Sequence, residues 1–180
     1  GLGTEQNYQK AFEWFERSAK QKNKFAQFSL ANLYYYGSGI EKDLSQAFLW
    51  YQRSSSQGQP YAAYSIAQMY RYGEYVTKDN DTAQRYYKQA LSGFLKIESD
   101  DMANDDLFYK LGQMFNLGLG TDSDVTKAIE YFRRSAEMNN KNGLFEYGKA
   151  LLTGEHIPQD TDSAVKLLEK AVKLKNSNAK

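Results

Sequence analysis

At 180 residues the chain has room for one ordinary domain or for several small units that share a core, and 23 basic against 22 acidic side chains leave a formal charge of +1. That balance is far from the basic one of a general nucleic-acid binder. The absence of cysteine excludes disulfides, thiolate metal sites and a cysteine nucleophile and leaves the compartment open, while 15 Tyr, 10 Phe and only 2 Pro point to a mostly helical chain.

Along the chain one unit recurs. A glycine stands at Gly1, Gly37, Gly73, Gly118 and Gly154, at intervals of 36, 36, 45 and 36 residues. Residues 1–22 hold only the second half of a unit and 23–58 a full one. Residues 59–100 hold a unit with an extended second helix and a junction insertion; 101–139 and 140–175 hold two more, and 176–180 start another.

The second helix of each unit, helix B, is read from columns held in register. Alanine follows each glycine by ten residues, at Ala11, Ala47, Ala83, Ala128 and Ala164, and Asn7, Asp43, Asp79, Asp124 and Asp160 stand four residues before it. Bulky pairs such as Trp50/Tyr51 and Tyr131/Phe132 follow at +3 and +4, and a small residue such as Ser54 or Ser135 at +7. This is one face of an amphipathic helix, with an Asp or Asn as its N-cap. Gln46, three residues after Asp43, completes a capping-box pattern. Before the glycine, Ala31, Ala67, Gly112 and Gly148 mark where a neighbour approaches the first helix, helix A. Tyr34, Tyr70, Phe115 and Leu151 mark its core side.

The segments LANLYYYGSGIEKDLSQAFLWY (30–51) and LGQMFNLGLGTDSDVTKAIEYF (111–132) resemble the Sel-one-like repeat, a relative of the tetratricopeptide repeat, and the resemblance extends over essentially the whole chain. Tyr75 and His156 stand where the second glycine of the pattern belongs, so the turns there are expected to differ. The resemblance implies an all-α, right-handed α-solenoid of stacked helix-turn-helix repeats that serves as a protein-interaction scaffold and is not itself an enzyme. Arrays of this family occur beside catalytic and mobilisation (relaxase-type) domains in bacteria. The alternative it implies is therefore an accessory domain of a larger bacterial enzyme, contacting nucleic acid or partner subunits.

The first unit lacks its helix A and is expected to expose Phe12 and Phe15. Ala179 falls where a new helix A would begin. Neither end carries a polar capping repeat, so a fragment of a larger protein is expected, with self-association through uncapped ends as one consequence. The 45-residue interval places nine extra residues within SGFLKIESDDMANDD (92–106) and predicts a long helix B from about Asp79 to Glu98.

Chemistry is thinly represented. GSGIEK and GLGTDS lack the spacing of a Walker loop or of a dinucleotide fingerprint and follow no predicted strand. The single histidine, His156, sits in a turn, and the acids at 79–81, 122–124 and 99–106 lack the ligand spacing of a calcium loop. No cofactor, metal or catalytic pair is expected, and with no run of 18 apolar residues no helical membrane span is either.

Binding is the stronger case. By the resemblance, the A helices line a concave face, on which the residues five and two before each glycine are exposed: Asn32/Tyr35, Gln68/Arg71, Gln113/Asn116 and Lys149/Leu152. Carboxamides there could hydrogen-bond the backbone of an extended protein or peptide partner. A further row, Phe28, Tyr64, Tyr109 and Phe145, either floors that groove or packs within each hairpin.

Overall fold

The computed structural model describes residues 7–177, which form nine α-helices and no strand. They are α1 (Tyr8–Lys20), α2 (Lys24–Tyr36), α3 (Leu44–Ser55), α4 (Pro60–Tyr72), α5 (Asn80–Ser99), α6 (Asp105–Leu117), α7 (Val125–Glu137), α8 (Lys141–Thr153) and α9 (Thr161–Ser177). The even-numbered helices are A helices and the odd-numbered ones B helices. The GLG turn at 1–3 and the helix start at Ala179 lie outside the described residues.

Each A helix ends in a glycine with left-handed backbone: Gly37, Gly73, Gly118 and Gly154, at φ between +63° and +72°. Such a residue lets the following N–H groups turn back onto the last helical carbonyls. Ser38, Glu74 and Leu119 do so, donating to Leu33, Met69 and Met114. Tyr75 takes the same left-handed backbone, at φ +66°, as the glycines it replaces (Gly39 at +76° and Gly120 at +74°), and its ring rests on Phe48 at 5.7 Å. His156, in the corresponding slot, is not among the described residues with positive φ.

The turn closes on the cap of helix B. Asp43, Asp79, Asp124 and Asp160 each accept a first-turn N–H with the side chain. Each also donates its own N–H to a helix A carbonyl, on Tyr34, Tyr70, Phe115 and Leu151 respectively, at 2.9–3.0 Å. This explains why the reciprocal half of the capping box at Gln46 is missing: the Asp43 N–H that its side chain would accept is committed to Tyr34. The Asp43 carboxylate instead accepts Ser45 Oγ at 2.6 Å.

The chain divides into two compact units, residues 1–93 and 94–180, with the boundary inside α5. In the first, Leu30, Ala31, Ala47, Ala62, Ile66 and Met69 form a core with Trp50 and Tyr51. Phe12 and Phe15, expected to be exposed, are half-buried against this core because α2 covers them; Phe12 meets Tyr34 edge-on at 5.6 Å. The exposed aromatics of α1 are Tyr8, at 41 %, and Trp14, at 68 %. In the second unit, Leu107, Leu111, Met114 and Leu144 are fully buried, and Phe115 stacks on Tyr131 at 5.6 Å. Burying one such side chain contributes roughly 1.5–3 kcal/mol. An exposed pair such as Lys20–Glu16 contributes about 0–1, so packing rather than ion pairing holds the helices together.

The small residues at +7 on helix B do more than clear space. Ser54 and Ser135, both fully buried, donate their hydroxyls at 2.7 Å to the first carbonyls of their partner A helices, on Lys24 and Asp105. In α5, which extends to Ser99, Glu98 accepts from the Tyr131 hydroxyl at 2.8 Å and pairs with Arg134, whose guanidinium lies 4.0 Å from the Phe108 ring centroid. These contacts fasten the last turn of the long helix to α6 and α7.

Candidate functional site

The residues expected on the A-helix face fall in both units. In the first, α2 carries Asn32, Tyr35 and the exposed Tyr36, spaced so that the three share one side of the helix. Asn32 Oδ1 accepts from the Tyr51 hydroxyl of α3 at 2.6 Å, and Tyr35 donates its hydroxyl to Glu74 at 2.5 Å. Burial and then the hydrogen bond to Glu74 push the Tyr35 phenol up to about 12, so it stays a donor throughout the neutral range. Lys42 lies 5.6 Å from the Tyr35 ring, and Tyr36 meets it edge-on at 4.9 Å.

On α4 the same register places Tyr64, Gln68, Arg71 and Tyr72 on one side. Tyr64 packs edge-on against Tyr87 of α5 at 5.5 Å. Gln68 is half-buried and its side chain makes no hydrogen bond among the described residues, and Arg71 lies 5.6 Å from the Tyr72 ring. Phe28, in the same row as Tyr64, packs on Tyr51 at 5.9 Å and Tyr61 at 6.0 Å.

In the second unit Tyr109 packs on Phe132 at 5.9 Å, and its hydroxyl accepts from Gln113 Nε2 at 3.0 Å. Burial, and then the charges of Glu146 and Asp106, raise the Tyr109 phenol above its ordinary value. Asn116 and Lys149 are exposed, as are Phe145 and Leu152. Structure thus joins Asn32 to Tyr51, Tyr35 to Glu74 and Gln113 to Tyr109, while the side chains of Gln68, Asn116 and Lys149 have no polar partner among the described residues.

Three features of these faces went unread in the sequence. Tyr51 and Glu74 supply the hydrogen-bond partners that orient Asn32 and Tyr35. Tyr36, Tyr72 and Leu117, each the last residue of an A helix, are 71 %, 62 % and 52 % exposed. That column was visible in the sequence, as a large side chain directly before each of three period-marking glycines.

Four of the acids considered for metal binding have local partners. Asp79 and Asp124 cap helices, Asp105 accepts from Asn140 at 2.9 Å, and Asp106 pairs with Lys110 at 3.2 Å. His156 is exposed in the turn before α9. Among the described residues, no helix is long and apolar enough to cross a membrane.

Comparison with known proteins agrees with this architecture. A Sel1 repeat protein from Oxalobacter formigenes superposes with a TM-score of 0.67 at 26% identity, covering 94% of this chain and 66% of that one. The protective antigen c5321 of uropathogenic Escherichia coli, described as having an SLR fold, gives 0.67 at 29% identity, over 91% of this chain and 33% of that one. The chain therefore spans about two thirds of the first relative's length and one third of the second's. A Klebsiella pneumoniae protein described as a putative sel1 repeat protein shares the fold at a TM-score of 0.50 and 16% identity, over 94% of this chain and 99% of that one. No curated protein matches. Sel1 repeats mediate protein interactions, and proteins built from them are typically non-catalytic scaffolds. With the Sel1 repeat model matching residues 1–23, 24–59, 60–93, 109–140 and 142–176, the chain belongs to the Sel1 repeat family.

Proposed function

We propose that the protein is a non-enzymatic docking module whose A-helix faces hold a segment of a partner protein. The observation that carries this reading is Gln68. It is a half-buried carboxamide with no hydrogen bond among the described residues, on the same side of α4 as Arg71 and the exposed Tyr72. A buried polar group is ordinarily paired, and a side chain left with its donors and acceptor open is suited to a peptide backbone, which offers both. Asn32 supports it from α2: Tyr51 uses its oxygen and holds the side chain in place, leaving the amide N–H groups to donate. Tyr36 and Tyr72 add broad apolar contact at low conformational cost, as tyrosine does in binding surfaces generally. In the second unit Asn116 and Lys149 supply the exposed polar groups.

Selection of a displayed random peptide library on the full chain tests this. Enriched peptides should lose most of their binding to an Asn32→Ala, Gln68→Ala double variant whose circular dichroism is unchanged. Peptides that bind the variant as well as the parent would place docking elsewhere.

A further inference from the structure

A groove of about 480 Å³ opens in the first unit between the C-terminal ends of α1 and α3. The buried Trp50 and Gln27 line it together with three cations, Lys20, Lys22 and Arg53, and no described carboxylate does. Lys20 pairs with Glu16 at 2.9 Å, whereas Lys22 and Arg53 pair with no acid among the described residues. The Arg53 guanidinium sits 4.4 Å from the Trp50 ring centroid, an arrangement that holds the cation over the ring. Helix-end carbonyls would repel an anion, but those nearest are taken. Ala19 accepts from the Lys22 N–H and from Gln27 Nε2, and Arg53 accepts from Ser56 Oγ and from Gln57 Nε2.

The corresponding place in the second unit shows what such an arginine takes. Arg134 stands in the column of Arg53, six residues after the alanine of its helix, and Tyr131 in that of Trp50. There α5 runs on to Ser99 and delivers Glu98, which pairs with Arg134 and accepts from the Tyr131 hydroxyl at 2.8 Å. The helix B that precedes α3 is α1, which ends at Lys20 without such an extension. Arg53 therefore has the stacked geometry of Arg134 and lacks its carboxylate.

Lys22 adds an independent observation. At the junctions between a helix B and the next helix A, left-handed backbone falls to Gly58, Asp101 and Asn139, residue types that adopt it readily. Only before α2 does it fall to a lysine, at φ +66°, and that lysine brings a cation to the groove. Strained backbone of this kind is characteristic of binding sites.

We propose that Arg53, Lys20 and Lys22 form a docking groove for a glutamate-rich segment of a partner protein, one of whose carboxylates takes at Arg53 the place that Glu98 takes at Arg134. The groove uses neither Asn32 nor Gln68, so it is a second contact beyond the A-helix faces. Arginine offers the carboxylate two parallel N–H groups, and the lysines set the preference for further negative charge beside it.

Trp14 and Trp50 are the two tryptophans of the chain, so a full chain carrying Trp14→Phe reports on the groove through Trp50 fluorescence. It is titrated with three end-blocked alanine pentapeptides whose central three residues are glutamate, glutamine or phosphoserine. The glutamate peptide should change the emission saturably, and less so at high salt, while the glutamine peptide should not. Arg53→Gln should weaken binding at least tenfold, the scale of one hydrogen bond to a charged group. Lys22→Gly should weaken it about threefold with the melting temperature undiminished. Lys166→Gln, at an exposed site of the second unit, should leave it unchanged. Silence with the glutamate peptide, an equal response to the glutamine one, or a response to phosphoserine alone would overturn the proposal. So would undiminished binding by Arg53→Gln, or an equal loss with Lys166→Gln, which would make the attraction one of general charge.

Discussion

The backbone N–H of Asp43 donates to the carbonyl of Tyr34 at 3.0 Å, while the Asp43 carboxylate caps α3. One residue therefore ends the turn and starts the next helix. The same pair of bonds recurs at Asp79 with Tyr70 and at Asp160 with Leu151.

These caps make stability depend on acid. The carboxyls of Asp43, Asp79 and Asp160 are held below their ordinary value, first by the hydroxyls of Ser45, Thr82 and Ser163 and then by backbone N–H groups. The unfolded chain binds these protons more tightly, so the stabilisation is complete above the unfolded carboxyl pKa of about 4 and disappears as pH falls through the lower folded values. Urea midpoints should fall on that acid side. Replacing all three by Asn, which keeps the capping oxygen, should flatten the slope, and an unaltered slope would assign it to other carboxyls.

Lys22 closes the α1–α2 turn at φ +66°, where the α3–α4 turn has Gly58 at φ +76°. A side chain in left-handed backbone costs roughly 1–2 kcal/mol, part of which glycine returns through greater freedom when unfolded. Lys22→Gly should therefore stabilise by up to about 1 kcal/mol in denaturant unfolding, because the exposed Lys22 side chain has little packing to lose. A destabilised variant would contradict this.

Gly112 and Gly148 share one column but differ in what they face. A Cβ on Gly112 would stand 2.5 Å from the Phe132 ring, whereas one on Gly148 would meet the Leu168 side chain at 3.1 Å. Gly112→Ala should cost about 1–3 kcal/mol through overpacking, despite the better helix propensity of alanine. Gly148→Ala should be close to neutral, since alanine favours the helix by about 1 kcal/mol and Leu168 can shift slightly. Equal effects in thermal unfolding would refute the distinction.

Tyr51 and Tyr87 occupy the same column of helix B, yet only Tyr51 has an acceptor, Asn32 Oδ1. Tyr51→Phe should cost about 1 kcal/mol, because it leaves the half-buried Asn32 oxygen unpaired. Tyr87→Phe should cost nothing or stabilise, since it removes an unpaired buried hydroxyl. If chemical denaturation shows the reverse order, the hydrogen-bond assignment of both rings is wrong.

Much of the helical pattern could be read from columns. A small residue, a bulky pair and an Asp at fixed offsets report a local requirement, and local requirements repeat with the chain. The Gln46 capping box misled because its partner N–H was already used by Tyr34, nine residues upstream. Phe12 and Phe15 misled because α2, not a preceding helix, covers them. The A-helix column of Asn32, Gln68 and Gln113 was legible as polar, but which of its atoms were open was not.

The sequence by itself determined the helix-turn-helix unit, its caps and its small-residue seams, because capping and close approach depend on residues a few positions apart. Only the tertiary structure decided which polar atoms are satisfied. Asn32 is held by Tyr51 and Ser54 by Lys24, while the Gln68 side chain and the Tyr87 hydroxyl have no hydrogen-bond partner among the described residues. Such pairings join residues 19 or more positions apart, at distances set by how helices pack rather than by the period of the chain.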